Sequence, residues 1–318
     1  MKKLTLMLFL TLFVSISIFG AETKKNVAQH LQDVSVTIRS EGDNSAGEGS
    51  GVVYTRKNHK GDGLINFVWT AAHVVDNLRT ERKVVVNGVT KSVVEFKDAL
   101  IIKEIRQDGR TVGRLEMDAE VIKYSDAING HDLALLKVRK TSFVTETVSF
   151  YLDGEIPSLG TDLLHVGSLL GQMGANSMTS GIYSQHGRLI KSLNKFVFDQ
   201  TTCTAFPGSS GGGIFLKNNG DARYVGMLVR GAGEGFNLIV PVRRMVEYCA
   251  EQKIMWALDP KLDMPSESKL KEMSIEELPS LPKGAPSHGN HEDAKHFPFM
   301  IRLYVPKLYE PKLFYFRE

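Results

Sequence analysis

The sequence predicts an all-β fold of two antiparallel barrels, and three observations carry that prediction. From about residue 32 to 240, short alternating or β-branched runs follow one another between turn signals. A break near Phe150–Gly160 divides the dozen or so runs into two sets joined by a short connection. With 318 residues, 42% of them hydrophobic and 24% charged, the chain is globular and long enough for a substantial core.

In chain order, Met1-Lys2-Lys3 and the apolar run Leu4–Phe19 read as a secretory signal peptide over residues 1–21, cleaved near Gly20 or Ala21. The run falls short of the roughly 20 residues that cross a bilayer, and small residues follow it, so removal is expected rather than a stable anchor. The mature chain is then exported, periplasmic or secreted. One large β-rich domain over 22–258 comes next. Its first barrel, about 32–150, draws on Val34–Arg39, Gly51–Thr55, Phe67–Ala71, Lys83–Val86, Ser92–Phe96, Leu115–Lys123 and Leu133–Arg139. The second, about 160–241, draws on Asp162–Gly167, Met178–Ser184, Lys195–Asp199, Gly212–Leu216, Tyr224–Val229 and Phe236–Pro241. Pro241 then opens a closing helix over 242–258, with Val242, Met245, Val246, Cys249, Ile254 and Trp256 near helical spacing. Residues 259–318 form a linker and C-terminal extension: Asp259–Gly289 is rich in Pro, Ser, Glu and Lys, and Phe297–Phe316 is aromatic but broken by three prolines.

Composition excludes some functions. A formal net charge of +3 is too small to argue for nucleic acid or an anionic membrane as partner. Two cysteines, Cys203 and Cys249, make no disulfide scaffold, and two buried thiols are the preferred reading. His288, His291 and His296 with Glu292 and Asp293 sit in a polar loop without a second set of ligands, so no metal is assigned. No cofactor is implied.

The chemistry gathers around Pro207-Gly208-Ser209-Ser210-Gly211-Gly212-Gly213. Such a run can make a tight loop in which a serine hydroxyl faces a substrate, and amides around Gly208, Ser209 and Ser210 can converge as an oxyanion hole. A serine needs a base, and the base an orienting acid. His73 stands at the far edge of the apolar run Phe67–Val75, and Asp132 opens the strand Leu133–Val138. His131 competes as base on chemistry alone, but adjacent side chains on a strand point apart, so it is read as structural, like His165 and His186.

Thr-Ala-Ala-His73, Asp132-Leu-Ala-Leu-Leu-Lys-Val and Gly-Ser-Ser210-Gly-Gly resemble the three signature blocks of the trypsin/chymotrypsin superfamily, in its His, Asp, Ser order. Gln200–Gly212, Thr179–Tyr183, Gly49-Ser-Gly-Val-Val and Gly235-Phe-Asn-Leu-Ile-Val-Pro bring the resemblance closest to the bacterial HtrA type, over roughly 32–258. The resemblance implies a chymotrypsin-like pair of six-stranded antiparallel β-barrels with a C-terminal helix and an irregular extension. It implies a serine endopeptidase with polypeptide substrates, working through an acyl-enzyme, with Ser210 rather than Ser209 as nucleophile. Thr204 would lie at the pocket floor and Val229, Arg230, Gly231 and Gly235 along its walls. No acid occupies the floor, so a small or medium apolar preference is expected, with Arg230 able to extend it toward acidic side chains. The PDZ domain that HtrA proteases often carry does not fit in the last sixty or so residues, and no Ile-Val-Gly-Gly activation sequence occurs. An inactive polypeptide-binding relative and an esterase on the same triad are the alternatives.

Overall fold

The β-branched runs of the first half are buried on most of their length because they close on one another. The computed structural model describes residues 26–190, 196–218, 221–231 and 235–276. Its first half holds β1 (Ser35–Glu41), β2 (Ala46–Lys57), β3 (Leu64–Thr70), β4 (Arg79–Val86), β5 (Val89–Phe96), β6 (Ala99–Gln107), β7 (Arg110–Ser125) and β8 (Leu133–Val138). Six of these close a barrel in the order β1-β2-β3-β8-β7-β6. The second half holds β9 (Asp162–Leu169), β10 (Gly174–Leu189), β11 (Val197–Thr201), β12 (Gly213–Asn218), β13 (Asp221–Gly231) and β14 (Asn237–Pro241). They close a second barrel, β10-β11-β14-β13-β12-β9. All neighbouring strands in both barrels run antiparallel.

Three elements depart from the expectation. β6 is absent from it because Lys103 and Glu104 interrupt the apolar alternation; both are buried, Lys103 3.7 Å from Asp33 and Glu104 2.9 Å from Arg114. The runs at 83–86 and 92–96 do form β4 and β5, but as a separate hairpin outside the barrel, with Val85 70% exposed. A short helix α1 (Val27–Asp33) precedes β1, started by a capping box between Asn26 and Gln29.

A one-turn helix, α2 (Ala72–Val75), follows β3 directly. The closing helix α3 (Val242–Glu251) is shorter than the 242–258 expected. Ile254 N–H reaches the Cys249 carbonyl (2.8 Å) and Lys253 N–H that of Ala250 (3.2 Å), with Lys253 at φ 58°. That is a Schellman ending with lysine where glycine usually stands, so no residue type marks the stop. Ile254 and Trp256 are buried beyond it.

Residues 259–276 are not a free linker. Arg56 on β2 donates to the carbonyls of Trp256 (2.6 Å), Asp259 (3.3 Å) and Leu262 (2.6 Å). Met264 and Leu270, the latter on α4 (Glu267–Glu272), are buried. The Tyr124 amide donates to the Ile275 carbonyl (3.0 Å), and Arg79 grips Glu276 at 2.7 and 3.0 Å. This stretch therefore straps the chain end back onto the first barrel. The proposed signal peptide, the histidine cluster at 288–296 and the aromatic run at 297–316 lie outside the described residues. Among the described residues no helix is long and apolar enough to cross a membrane.

Candidate active site

His73 owes its position to the change from strand to helix. β3 ends at Thr70, and the turn of α2 carries the imidazole to the barrel's edge while Ala72, Val74 and Val75 are buried beneath it. Asp132 precedes β8 in the left-handed region, φ 57°, a backbone state that aspartate tolerates better than most residues. Its own amide donates to the Asp126 carbonyl (3.2 Å), which closes the loop that presents it. Both carboxylate oxygens lie 3.0 Å from His73 Nδ1, and Oδ1 also accepts the His73 amide at 3.2 Å. Asp132 is fully buried. Burial alone would push its carboxyl up, but His73's charge and hydrogen bond, Arg230's charge and the His73 amide outweigh that and hold it below the usual range. The imidazole's tautomer follows, because Nδ1 must carry the proton that faces a carboxylate, which leaves Nε2 as the base.

Ser210 rides the glycine loop between β11 and β12. Its hydroxyl donates to the Val229 carbonyl at 3.4 Å, and among the described residues no hydrogen bond joins it to His73. The two are nevertheless brought to one place. The point where a side chain on Gly49 would begin lies 2.5 Å from a Val74 methyl and 3.2 Å from the Ser210 carbonyl oxygen. The residue after His73 and the backbone of Ser210 thus meet over one glycine of β2.

The loop's amides are aimed by their neighbours. Leu170 N–H holds the Pro207 carbonyl (2.7 Å). Because a trans peptide points its C=O and N–H in opposite directions, the Gly208 N–H is turned away from Leu170. The Gly212 amide holds the Ser209 carbonyl (2.9 Å), which turns the Ser210 N–H away in the same manner. Neither the Gly208 nor the Ser210 amide donates to an acceptor among the described residues. The Ser209 amide does: it is spent on the Phe206 carbonyl (2.9 Å), and the Ser209 hydroxyl accepts from the Phe206 amide (3.1 Å). Ser209 therefore leaves both the oxyanion-hole set and the contest for nucleophile. Gly208 has φ 92°, and a Cβ there would come within 2.3 Å of the Ser168 carbonyl oxygen, so only glycine fits.

Ser50 is the residue that sequence reasoning missed. It is fully buried on β2 between two glycines, and it ties the barrels together at the loop. Its amide donates to the Ser210 carbonyl (2.7 Å) and its hydroxyl to the Gly208 carbonyl (2.6 Å). The same hydroxyl accepts from the Ser168 amide (2.8 Å), and its carbonyl accepts the Thr70 hydroxyl (2.8 Å). Gly49-Ser50-Gly51 was the only signal, and it announces a close approach without naming the partner.

The expected pocket residues fall as follows. Thr204 is exposed and its carbonyl accepts from the Thr179 hydroxyl (2.8 Å). Asn237 joins this edge to the opposite wall: its Nδ2 donates to the Cys203 carbonyl (2.7 Å), and its Oδ1 lies 2.4 Å from where a Gly231 side chain would start. Val229 is buried, and Gly235, at φ 71°, has open space around it. Arg230 departs from expectation. Its guanidinium turns to the first barrel, 3.6 Å from Asp132 Oδ2 and 3.1 Å from the Ala127 carbonyl, so it is drawn away from any acidic substrate side chain.

The bystanders keep their structural reading. The His131 ring stacks on Phe196 and Tyr248, with Nε2 3.3 Å from Glu251. His165 is fully buried beneath the glycine loop, its Nδ1 3.0 Å from the Gly213 carbonyl, and burial pushes it down to about 4. His186 is exposed. Cys203 and Cys249 are both buried and unpaired. A groove of about 460 Å³ lined by Gln32, Asp33, Lys103, Arg106 and Phe143 shares no residue with this site, and its Arg106 and Lys103 both pair with Asp33.

A family model described as a trypsin-like peptidase domain matches residues 49–227. Among solved structures, an HtrA-type protease determined with a tripeptide matches at 19% identity and a TM-score of 0.50, covering 72% of this chain and 62% of its own. A serine endoprotease from Yersinia pestis matches at 19% identity and a TM-score of 0.47, covering 72% of this chain and 65% of its own. The chain thus spans less than two thirds of the length of these relatives. No curated protein matches in sequence.

Proposed function

The chain belongs to the trypsin-like peptidase family, and on that premise we propose that it hydrolyses peptide bonds as a serine endopeptidase through His73, Asp132 and Ser210. The observation that carries this reading is the buried two-oxygen grip of Asp132 on His73 Nδ1 beside a glycine loop with two uncommitted amides. Rotation about the Ser210 Cα–Cβ bond moves its hydroxyl from the Val229 carbonyl toward His73 Nε2. Nε2 takes the hydroxyl proton as the oxygen attacks the scissile carbonyl, then gives it to the leaving amine. Asp132 holds the tautomer and stabilises the imidazolium. The Gly208 and Ser210 amides hold the oxyanion, and losing one such donor costs on the order of a hundredfold or more. Water then releases the acyl group by the same relay. This chemistry calls for no metal or organic cofactor.

Substrates are extended polypeptides, cleaved after a small or medium apolar residue, since Thr204 supplies no charge. With residues 1–21 as leader, the enzyme acts outside the cytoplasm, in a periplasm or the medium. The hydrogen bond from Ser210 to Val229 favours one second reading, a protease-fold protein that binds polypeptide without cutting it. An organofluorophosphate probe and cleavage-site profiling on a peptide library decide between them. Wild type is expected to take the label and cut, while Ser210→Ala does neither, with turnover down on the order of a million-fold. Equal cleavage by both proteins, or none by either, overturns the proposal. Cleavage of a simple ester but not casein marks an esterase.

A further inference from the structure

The strand that receives the Ser210 hydroxyl also reaches the acid of the other barrel. Val229 on β13 offers its carbonyl to Ser210, and the next residue, Arg230, sets its guanidinium 3.6 Å from Asp132 Oδ2. The donation from Arg230 to the Ala127 carbonyl (3.1 Å) fixes that side chain on the loop that presents Asp132. A second guanidinium stands behind the same loop. Arg244 on α3 is 3% exposed, donates to the His131 carbonyl (2.8 Å) and lies over Phe196 and Phe198. Burial pushes it down to about 10, still charged at neutral pH, and Asp132 is the first of the acids that favour its charge.

The carboxylate that grips His73 therefore has an imidazole at 3.0 Å and the Arg230 guanidinium at 3.6 Å, with Arg244 held on the neighbouring His131 carbonyl. The neighbouring acids are occupied elsewhere. Asp126 accepts the amides of Ile128 (2.9 Å) and Asn129 (2.6 Å), and Asp76 accepts the Tyr124 hydroxyl (2.6 Å). On α3, Glu251 lies beside His131, and Glu247 is exposed. Without Arg230, the positive charge nearest the carboxylate other than His73 itself would be gone.

Resting on the triad reading above, we propose that Arg230 is a positioning residue that shares the Asp132 carboxylate with His73. It holds the carboxylate rotation that turns both oxygens to Nδ1, and its charge opposes protonation of the ring. Two like charges on one shared carboxylate each weaken the other's hold.

The test follows the His73 ring resonance by NMR across pH in the full chain, together with the acid limb of kcat/KM on a neutral peptide. In Arg230→Gln, both midpoints are expected to rise by about half to one pH unit, a three- to tenfold gain in proton affinity. Arg230→Lys, which keeps the charge, restores most of the wild-type position. Arg230→Met, of similar length and uncharged, reads the same quantity if the glutamine variant fails to fold. An unmoved His73 midpoint in a folded uncharged variant overturns the proposal. So does a changed preference between acidic and neutral peptides with the midpoint unmoved, which would make Arg230 a substrate contact. If the midpoint rises while wild type cuts no peptide, the function proposed above fails and the charge sharing stands.

Discussion

In the first barrel the functional side chains already touch: His73 and Asp132 stand 3.0 Å apart, on one turn of helix and at the mouth of a strand. In the second barrel Ser210 rides a loop, and its hydroxyl faces its own barrel's Val229. The His73–Asp132 contact is thus made within one half and the Ser210 hydroxyl contact within the other. At the loop the halves are joined by Ser50, which reaches from β2 to the carbonyls on either side of Ser209, and behind the acid by Arg230, which reaches from β13 to Asp132 and the Ala127 carbonyl. A base and its acid can be preset by local folding, because both lie on elements of one sheet. A nucleophile and its oxyanion donors have to be set by contact across the seam.

That contrast can be broken from the loop side. Gly211, at φ 86°, leaves no room for a methyl, whose carbon would stand 2.0 Å from the Ser50 carbonyl oxygen and 2.3 Å from the Thr70 hydroxyl. Gly211→Ala is expected to lower kcat/KM more than a thousandfold, about 4 kcal/mol in the transition state, while the His73 ring resonance keeps its wild-type titration. A perturbed His73 would mean that the halves are not independent.

His165 sharpens the comparison through pH. Its folded value of about 4 lies below its ordinary 6.5, so between those limits the unfolded chain binds the extra proton. Stability is then complete above about pH 6.5 and falls by roughly 3 kcal/mol as pH drops to 4. Urea midpoints across that range should show the slope in wild type and lose it in His165→Phe, if the ring is accommodated. The loss should begin in the second barrel, around Tyr183 and Tyr224, while Trp69 reports on the first.

A smaller effect is expected at the seam itself. Ser50→Ala leaves the Gly208 carbonyl and the buried Ser168 amide without their partner. A tenfold to hundredfold fall in kcat/KM should follow, about 1.4–2.7 kcal/mol, with KM little changed. Full activity in that variant would show the loop to be set by backbone hydrogen bonds, from Leu170, Gly212 and the Ser50 amide, without the hydroxyl.

Much of this was legible in the sequence, for identifiable reasons. The barrels announced themselves because a strand buried on both faces is nearly continuous in apolar residues, as Phe67–Ala71 and Leu133–Leu136 are. The proposed triad could be read from the sequence because acyl transfer restricts each role to few residue types. Other features left no trace. β6 hides behind Lys103 and Glu104, whose burial depends on Asp33 and Arg114. The end of α3 hides behind a lysine in a glycine's conformation. The role of Ser50 depends on partners 118 and 158 residues away, a separation that no local pattern encodes. Arg230 read as a pocket wall because its place on the strand was legible, but the direction of its long side chain was not.

The stretch 259–276 gives the two-barrel body a second tether. One crossing, 139–161, runs from the first barrel to the second; the other leaves α3 and returns. A hinge fastened on both sides does not swing freely. To part the halves, Arg56 must let go of three carbonyls and Tyr124 of Ile275, so any separation of the barrels is coupled to the undocking of residues 259–276.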